Sequence, residues 1–300
     1  MACRTIVLDR PVDLGLTLAP LCHGRADPTM RFAADGVWRT TRTVDGPATV
    51  HLTADGAIVR AQAWGPGAGS ALRAVPGLVG AADRLDGFLP HHPIVARLAR
   101  HLCGLRITRS AAVFEALVPV VIEQKVIGFE ARRAYRRMLG AIGTPAPGPA
   151  AGVLVVPPPP AEVARLPYHA FHLWGIERKR ADTVRRVAAA AVRLEETAVM
   201  PLTDAHRRLA AIPGVGPWTA AEVALVALGD ADAVSVGDYH LPHQVAWVLA
   251  GERRADDARM LELLAPYAGH RGRVVRLIAA AGLGPPRRAS RMPARPIAWH

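Results

Sequence analysis

The stretch "LAAIPGVGPWTAAEVALVAL", residues 209–228, breaks an Ala-rich helical pattern with Pro-Gly-Val-Gly and resumes it at once. Gly and Pro are the strongest local breakers. Pro217 suits the first turn of a helix, where its missing N–H costs nothing. The stretch predicts a helix, a tight glycine hairpin and a second helix. Leu209, Ile212 and Val215 can pack, while Gly214 and Gly216 leave the backbone bare. Bare N–H groups at a helix N-terminus make a site for phosphate. A carboxylate follows: Asp238, 22 residues after Gly216, opens the helical pattern "DYHLPHQVAWVLAG". Taken alone, Pro213–Gly216 is a helix–helix corner and Asp238 is an N-cap. In this order and at this spacing the two are far more specific.

Other residues offer weaker chemistry. His240 and His243 stand at i, i+3 beside Asp238, a spacing that suits solvent or phosphate contacts better than a metal. His91, His92, His169 and His172 form no ligand pattern. "GPGAG" at 65–69 is a loop without the Lys of a phosphate-binding loop. Cys3, Cys22 and Cys103 are odd in number and widely spaced, giving neither a disulfide framework nor a metal knuckle.

The elements that must position these residues change character along the chain. Over the first ninety or so residues, "VWRTTRTV" and "ATVHLTA" alternate and flank "DGP", a hairpin signal. "AIVRAQAWG" extends them into an antiparallel meander. "GSALRAVPGLVGAADRL" then reads as a helix broken at Pro76-Gly77. From about Pro93 the periodicity is helical, in "IVARLARHL", "AAVFEALVPVVIEQKVIGFEARRAYRRMLGAI", "RKRADTVRRVAAAAVRLEE" and "TDAHRRLAAI". The Pro/Gly-rich "GTPAPGPAAGVLVVPPPPAEV" interrupts them and carries a short extended segment. Helices resume after the hairpin in "DDARMLELLAPY" and "HRGRVVRLIAAAGL". The expected organisation is α+β: a small antiparallel β-rich domain at 1–92, a larger helical domain at 93–283 with its hairpin unit at 204–228, and a basic, disordered tail at 284–300.

The 300 residues carry a net charge of +12 and a pI of about 10.9, which suggests a polyanionic partner. Arg with abundant Ala, Gly and Pro is also what a GC-rich genome produces. From Arg271 to the end, however, seven Arg stand with no Asp or Glu. With 51% hydrophobic residues the chain can build a proper core. It has no apolar run of about 18 residues for a membrane span, and "MACRTIVLDRPVD" has charges where a signal peptide is apolar. The expectation is a cytoplasmic protein, nucleoid-associated when bound to a nucleic-acid partner.

"LAAIPGVGPWTAAEVALVAL" followed by "VSVGDYHL" resembles the helix-hairpin-helix DNA glycosylase superfamily, and within it the 3-methyladenine DNA glycosylase II branch. "FEALVPVVIEQKV" and "LWGIERKRADTVRRVAAA" are similar to the helices before the hairpin. The resemblance implies a monomeric enzyme of base excision repair acting on double-stranded DNA. Pro213, Gly214, Val215, Gly216 and Thr219 would hold a DNA phosphate, through a monovalent cation at the Gly214 and Gly216 backbone. Lys125, Lys179 and Arg180 would add DNA contacts. Asp238 would be catalytic, facing the deoxyribose of a flipped nucleotide and stabilising the positive charge that builds on the sugar. Trp218, Glu222, Gln124, Tyr239 and His270 would line the base pocket.

Departures from the family pattern narrow the chemistry. Bifunctional members carry a Lys two residues after the last hairpin Gly; here Trp218 stands there, and Lys125 and Lys179 are the chain's only lysines. That implies hydrolysis without lyase activity. The four Cys of an iron–sulfur cluster are missing, so no cofactor is expected. Trp218 either stacks on the flipped base or is a core residue under the hairpin. Glu222, one turn on and on the same helix face, is either a solvated surface group or a pocket acceptor. Lys125 replaces an apolar wedge. The expected substrate is a damaged, alkylated purine. The alternatives are a deaminated or bulky, crosslinked base, or a DNA-structure-binding protein that has lost catalysis.

Overall fold

The structure, a computed structural model, describes residues 1–286. Most of the basic tail expected from residue 284 lies outside the described residues. The N-terminal part is a five-stranded antiparallel sheet of β1 (Ala2–Val7), β2 (Met30–Ala33), β3 (Gly36–Thr43), β4 (Gly46–Asp55) and β5 (Ile58–Trp64) in the order β1-β5-β4-β3-β2. The expected meander is β3–β5, and its register follows the alternation. Val50 and Leu52 on β4, with Val59, Ala61 and Ala63 on β5, turn to one face and are buried. The helix Ala68–Leu78 covers that face with Leu72, Val75 and Leu78. It runs one residue past the predicted break at Pro76-Gly77. The edge strands β1 and β2 complete the sheet; β1 pairs with β5 across more than fifty residues, a closure that no local pattern announces.

The second cluster of buried residues runs from Val95 to Ile278 and belongs to the helices. The predicted helical run of residues 111–142 divides into Val113–Glu123 and Gly128–Ile142, with Lys125 at φ +56° in the turn. The Pro/Gly-rich connection does carry extended backbone: Thr144–Pro145 pairs with Val155–Val156. It lies on the sheet, where Trp38 packs against Ala146, Ala150 and Leu154. Beyond the hairpin, the helix Pro217–Val223 passes into a π-helical turn, Ala224–Leu228. The carbonyls of Val226 and Ala227, in the last turn, accept the N–H groups of Ser110 and Ala111, each at 3.0 Å. Among the described residues no helix is long and apolar enough to cross a membrane.

Charged side chains join the two clusters. Glu115, on the first helix of the split pair, accepts from Arg39 at 3.0 Å, from the Thr41 hydroxyl at 2.9 Å and from the Arg42 N–H at 2.6 Å. Asp83 lies buried between Arg10, at 2.5 Å, and the Arg273 Nη1, at 3.1 Å. These ties fix the sheet against the helices and so define the space between them.

Candidate active site

The hairpin joins the helix Leu202–Ala210 to the helix at Pro217. Leu209 and Val215 are buried and anchor it. Gly214 has φ +99°, and a Cβ there would collide with the Thr183 side chain, so the position needs glycine on both counts. Gly216 is different: its backbone is ordinary and a Cβ would meet open space. The Val215 N–H turns inward to the Ile212 carbonyl at 2.9 Å, and the N–H groups of Gly214 and Gly216 have no partner among the described residues. The opposite side of the hairpin is occupied. The Pro213 carbonyl accepts from Arg186 at 3.3 Å, and the Gly214 carbonyl from the Gln124 amide at 2.8 Å.

Asp238 closes the next loop. Its Oδ1 accepts the N–H groups of His240, at 2.7 Å, and Leu241, at 2.8 Å, which caps the helix Leu241–Ala250 from three residues ahead. Its Oδ2 accepts the Trp218 indole N–H at 3.1 Å. The loop is pinned along its length. Asp230 bonds His206 at 2.8 Å, Asp232 takes the Arg271 N–H at 3.0 Å and its Nε at 2.9 Å, and the Gly237 N–H donates to Asp257 at 3.0 Å.

Glu222 connects this carboxylate to a cavity. It shares a helix face with Trp218 and also lines a cavity of about 190 Å³ between the sheet and the helices. An engineered cavity of about 150 Å³ holds benzene, so this one has room for a bicyclic aromatic base. The rest of its wall includes residues 19–24, Arg39, Glu115, Glu123, Arg132 and Tyr135. His23 stands 3.5 Å from Glu123 and edge-on to Tyr135. Burial pushes the Glu222 carboxyl above its ordinary range. The Ser235 hydroxyl, which donates to it, acts the other way, while the negative charges of Asp238 and Glu123 raise it further. Arg276 faces it from the helix Arg271–Ala280, itself pulled down to about 10 by burial.

Several expected site residues take other places. Gln124 does not line the cavity; its amide bridges the Gly214 carbonyl and, at 2.9 Å, the Thr219 hydroxyl, bracing the hairpin. Thr219 is 1% exposed and cannot reach DNA directly. Arg180 is also buried, its guanidinium spent on the Ile122 carbonyl at 2.7 Å. His270 is walled in between the Asp86 carbonyl, 2.9 Å away, and the Arg273 Nε, 3.1 Å away. Tyr239 is 80% exposed and does not line the cavity. Lys125 and Lys179 are exposed. Trp218 is half-buried and bonded to Asp238, and neither residue lines the cavity. Glu123, Ser235, His23 and Tyr135 were not read from the sequence. Glu123 adjoins the quoted Gln124, but nothing in the pattern turns it toward a cavity. Among the described residues no cluster of His, Cys, Asp and Glu could hold a metal ion.

No protein-family model matches the chain, and no curated protein matches it in sequence. Solved structures do match. A 3-methyladenine DNA glycosylase from Archaeoglobus fulgidus superposes with a TM-score of 0.77 at 15% identity, over 92% of this chain and 97% of that one. An 8-oxoguanine glycosylase/lyase from Clostridium acetobutylicum, bound to double-stranded DNA with cytosine opposite 8-oxoguanine, gives 0.70 at 12% identity over 93% and 97%. The Schizosaccharomyces pombe 3-methyladenine DNA glycosylase bound to abasic DNA gives 0.51 at 18% identity over 63% and 91%. The chain has the α+β, helix-hairpin-helix fold of these DNA glycosylases.

Two outcomes test the geometry. Gly214→Ala must strain the hairpin at positive φ and displace Thr183, costing about 1–2 kcal/mol or more in denaturant melts. Gly216→Ala meets no clash, so its melt should shift by less than about 1 kcal/mol. Equal losses would mean the two glycines serve one structural purpose. Glu222→Gln tests the cavity-lining carboxyl. Because its folded pKa is raised, Glu222 contributes stability below its unfolded pKa of about 4.3 and loses it as pH rises through the folded value. The melting temperature of Glu222→Gln, relative to wild type, should therefore climb as pH rises from about 4 through the folded-state titration. A pH-independent difference would place Glu222 in solvent.

Proposed function

We propose that this protein is a monofunctional DNA glycosylase that hydrolyses the N-glycosidic bond of a damaged purine flipped out of duplex DNA, leaving an abasic site. The observation that carries the reading is Asp238: a carboxylate held by three N–H donors, one of them the indole of Trp218, whose helix face also carries Glu222 in the wall of a base-sized cavity. Cleaving the bond builds positive charge on the sugar. A carboxylate already fixed in place stabilises that charge without reorganising, an effect worth about 3–4 kcal/mol where single groups have been removed. The fold shared with glycosylases, two of them bound to DNA, supports the same reading.

The other parts fall into consistent roles. The free N–H groups of Gly214 and Gly216 take a phosphate next to the lesion, and exposed Lys125 and Lys179 neutralise its neighbours. A monovalent cation at the Gly214 and Gly216 backbone would share the Gly214 carbonyl with the Gln124 amide, using the second lone pair of that oxygen. No step is routed through a cation, and none needs an iron–sulfur cluster. The protein works as a monomer in the DNA-containing compartment, and alkylated purines are the first substrates to try.

Asp238→Asn tests the central claim. It should lower abasic-site formation by at least about 10²-fold while binding to lesion duplex stays equal or improves, because a negative charge near phosphates is removed. Wild-type release by the Asn variant would remove Asp238 from catalysis. The reaction type has a separate check. With Trp218 in place of an amine, borohydride added during turnover should trap no protein–DNA adduct; a trapped adduct would point to Lys125 and to lyase chemistry.

A further inference from the structure

Two carboxyl groups flank Trp218 in unlike surroundings. Asp238 is met by three N–H donors and lies close enough to Glu222 for their charges to interact. Glu222 faces into it, with the Ser235 hydroxyl as its hydrogen-bond partner. A sugar-side carboxylate and a base-side carboxyl are what acid-assisted glycosidic cleavage needs. We propose, resting on the glycosylase reading, that Glu222 is the general acid that protonates the departing base, and that the substrate range therefore includes neutral purine lesions.

The atoms balance as follows. The C1′–N9 bond breaks and its electron pair goes to the purine. The Glu222 O–H breaks and its proton goes to a ring nitrogen, N3 or N7, so the base leaves neutral. Asp238 faces the positive sugar, water adds at C1′, and the proton lost from that water and the one regained by Glu222 are exchanged with solvent. A purine alkylated on a ring nitrogen already carries positive charge and leaves neutral without this proton. A deaminated purine does not.

The setting favours a protonated Glu222. Asp238 and Glu123 present negative charge to it, and Arg276 is the opposing cation. Across the cavity His23, Arg39 and Arg132 are the other basic groups, with Arg39 engaged by Glu115 and His23 beside Glu123. Burial of the carboxyl acts in the same direction as the two negative charges.

The experiment measures single-turnover base release from two duplexes, one with hypoxanthine and one with N7-methylguanine, for wild type and Glu222→Gln. General acid catalysis typically contributes about 10²–10⁴-fold. The hypoxanthine-to-methylguanine rate ratio should fall by that factor in the variant. Wild type alone gives a second readout: release of hypoxanthine should decline as pH rises through the Glu222 titration, and release of N7-methylguanine should not decline with it. Equal losses on both lesions, parallel pH profiles, or no hypoxanthine release by wild type would overturn the proposal and leave the glycosylase reading standing. Release of neither base would overturn both.

Discussion

The bond between the Trp218 indole and Asp238 is the constraint on which the site depends. Its donor is fixed by the hairpin helix and its acceptor by the loop before the next helix. Two further N–H groups, from His240 and Leu241, hold the other carboxylate oxygen. Charge-assisted hydrogen bonds of this kind are short and directional, so the carboxylate has little freedom left. The intervening loop is held by Asp230, Asp232 and Gly237 through His206, Arg271 and Asp257, and each of those partners lies on a different helical segment. A shift of any of these would reach Asp238 through a short path.

The cavity depends on a different set of contacts. It belongs to neither the sheet nor the helices, and it exists because charged side chains hold them at a fixed separation. Glu115 binds three donors of β3, and Asp83 is shared by Arg10 and Arg273. Buried ion pairs add little stability compared with apolar packing, but removing one partner costs several kcal/mol because the other is left unpaired. Such contacts suit an interface that must keep its shape and still hold an open space.

Charge is divided between surface and interior. The chain is strongly basic overall, while Glu115, Glu123 and Glu222 line the cavity. A positive exterior attracts the backbone of a polyanion at long range. Arg39, Arg132 and His23 share that wall, so the cavity is mixed in charge, and there the low dielectric strengthens every interaction. On the proposed function, phosphate binding and base recognition would fall to different parts of the molecule.

The amino-acid sequence by itself determined the local architecture. Turn residues and alternation placed β3–β5, helical periodicity placed the helices beyond Pro93, and the glycine hairpin with Asp238 at its spacing marked a candidate site. These are properties of neighbouring residues, and neighbouring residues carry them. Only the tertiary structure decided where polar side chains point. Gln124, Thr219, Arg180 and His270 have the types and positions expected of functional residues, yet each is consumed by a buried partner. Conversely, Glu123, His23 and Tyr135 carry no local signal and meet only because the segment at 19–24 folds onto helices a hundred residues away. Glu222 lay between these cases. Its spacing from Trp218 fixed the helix face, but the choice between solvent and cavity was made by what packs against that face, which is set by contacts distant in the chain.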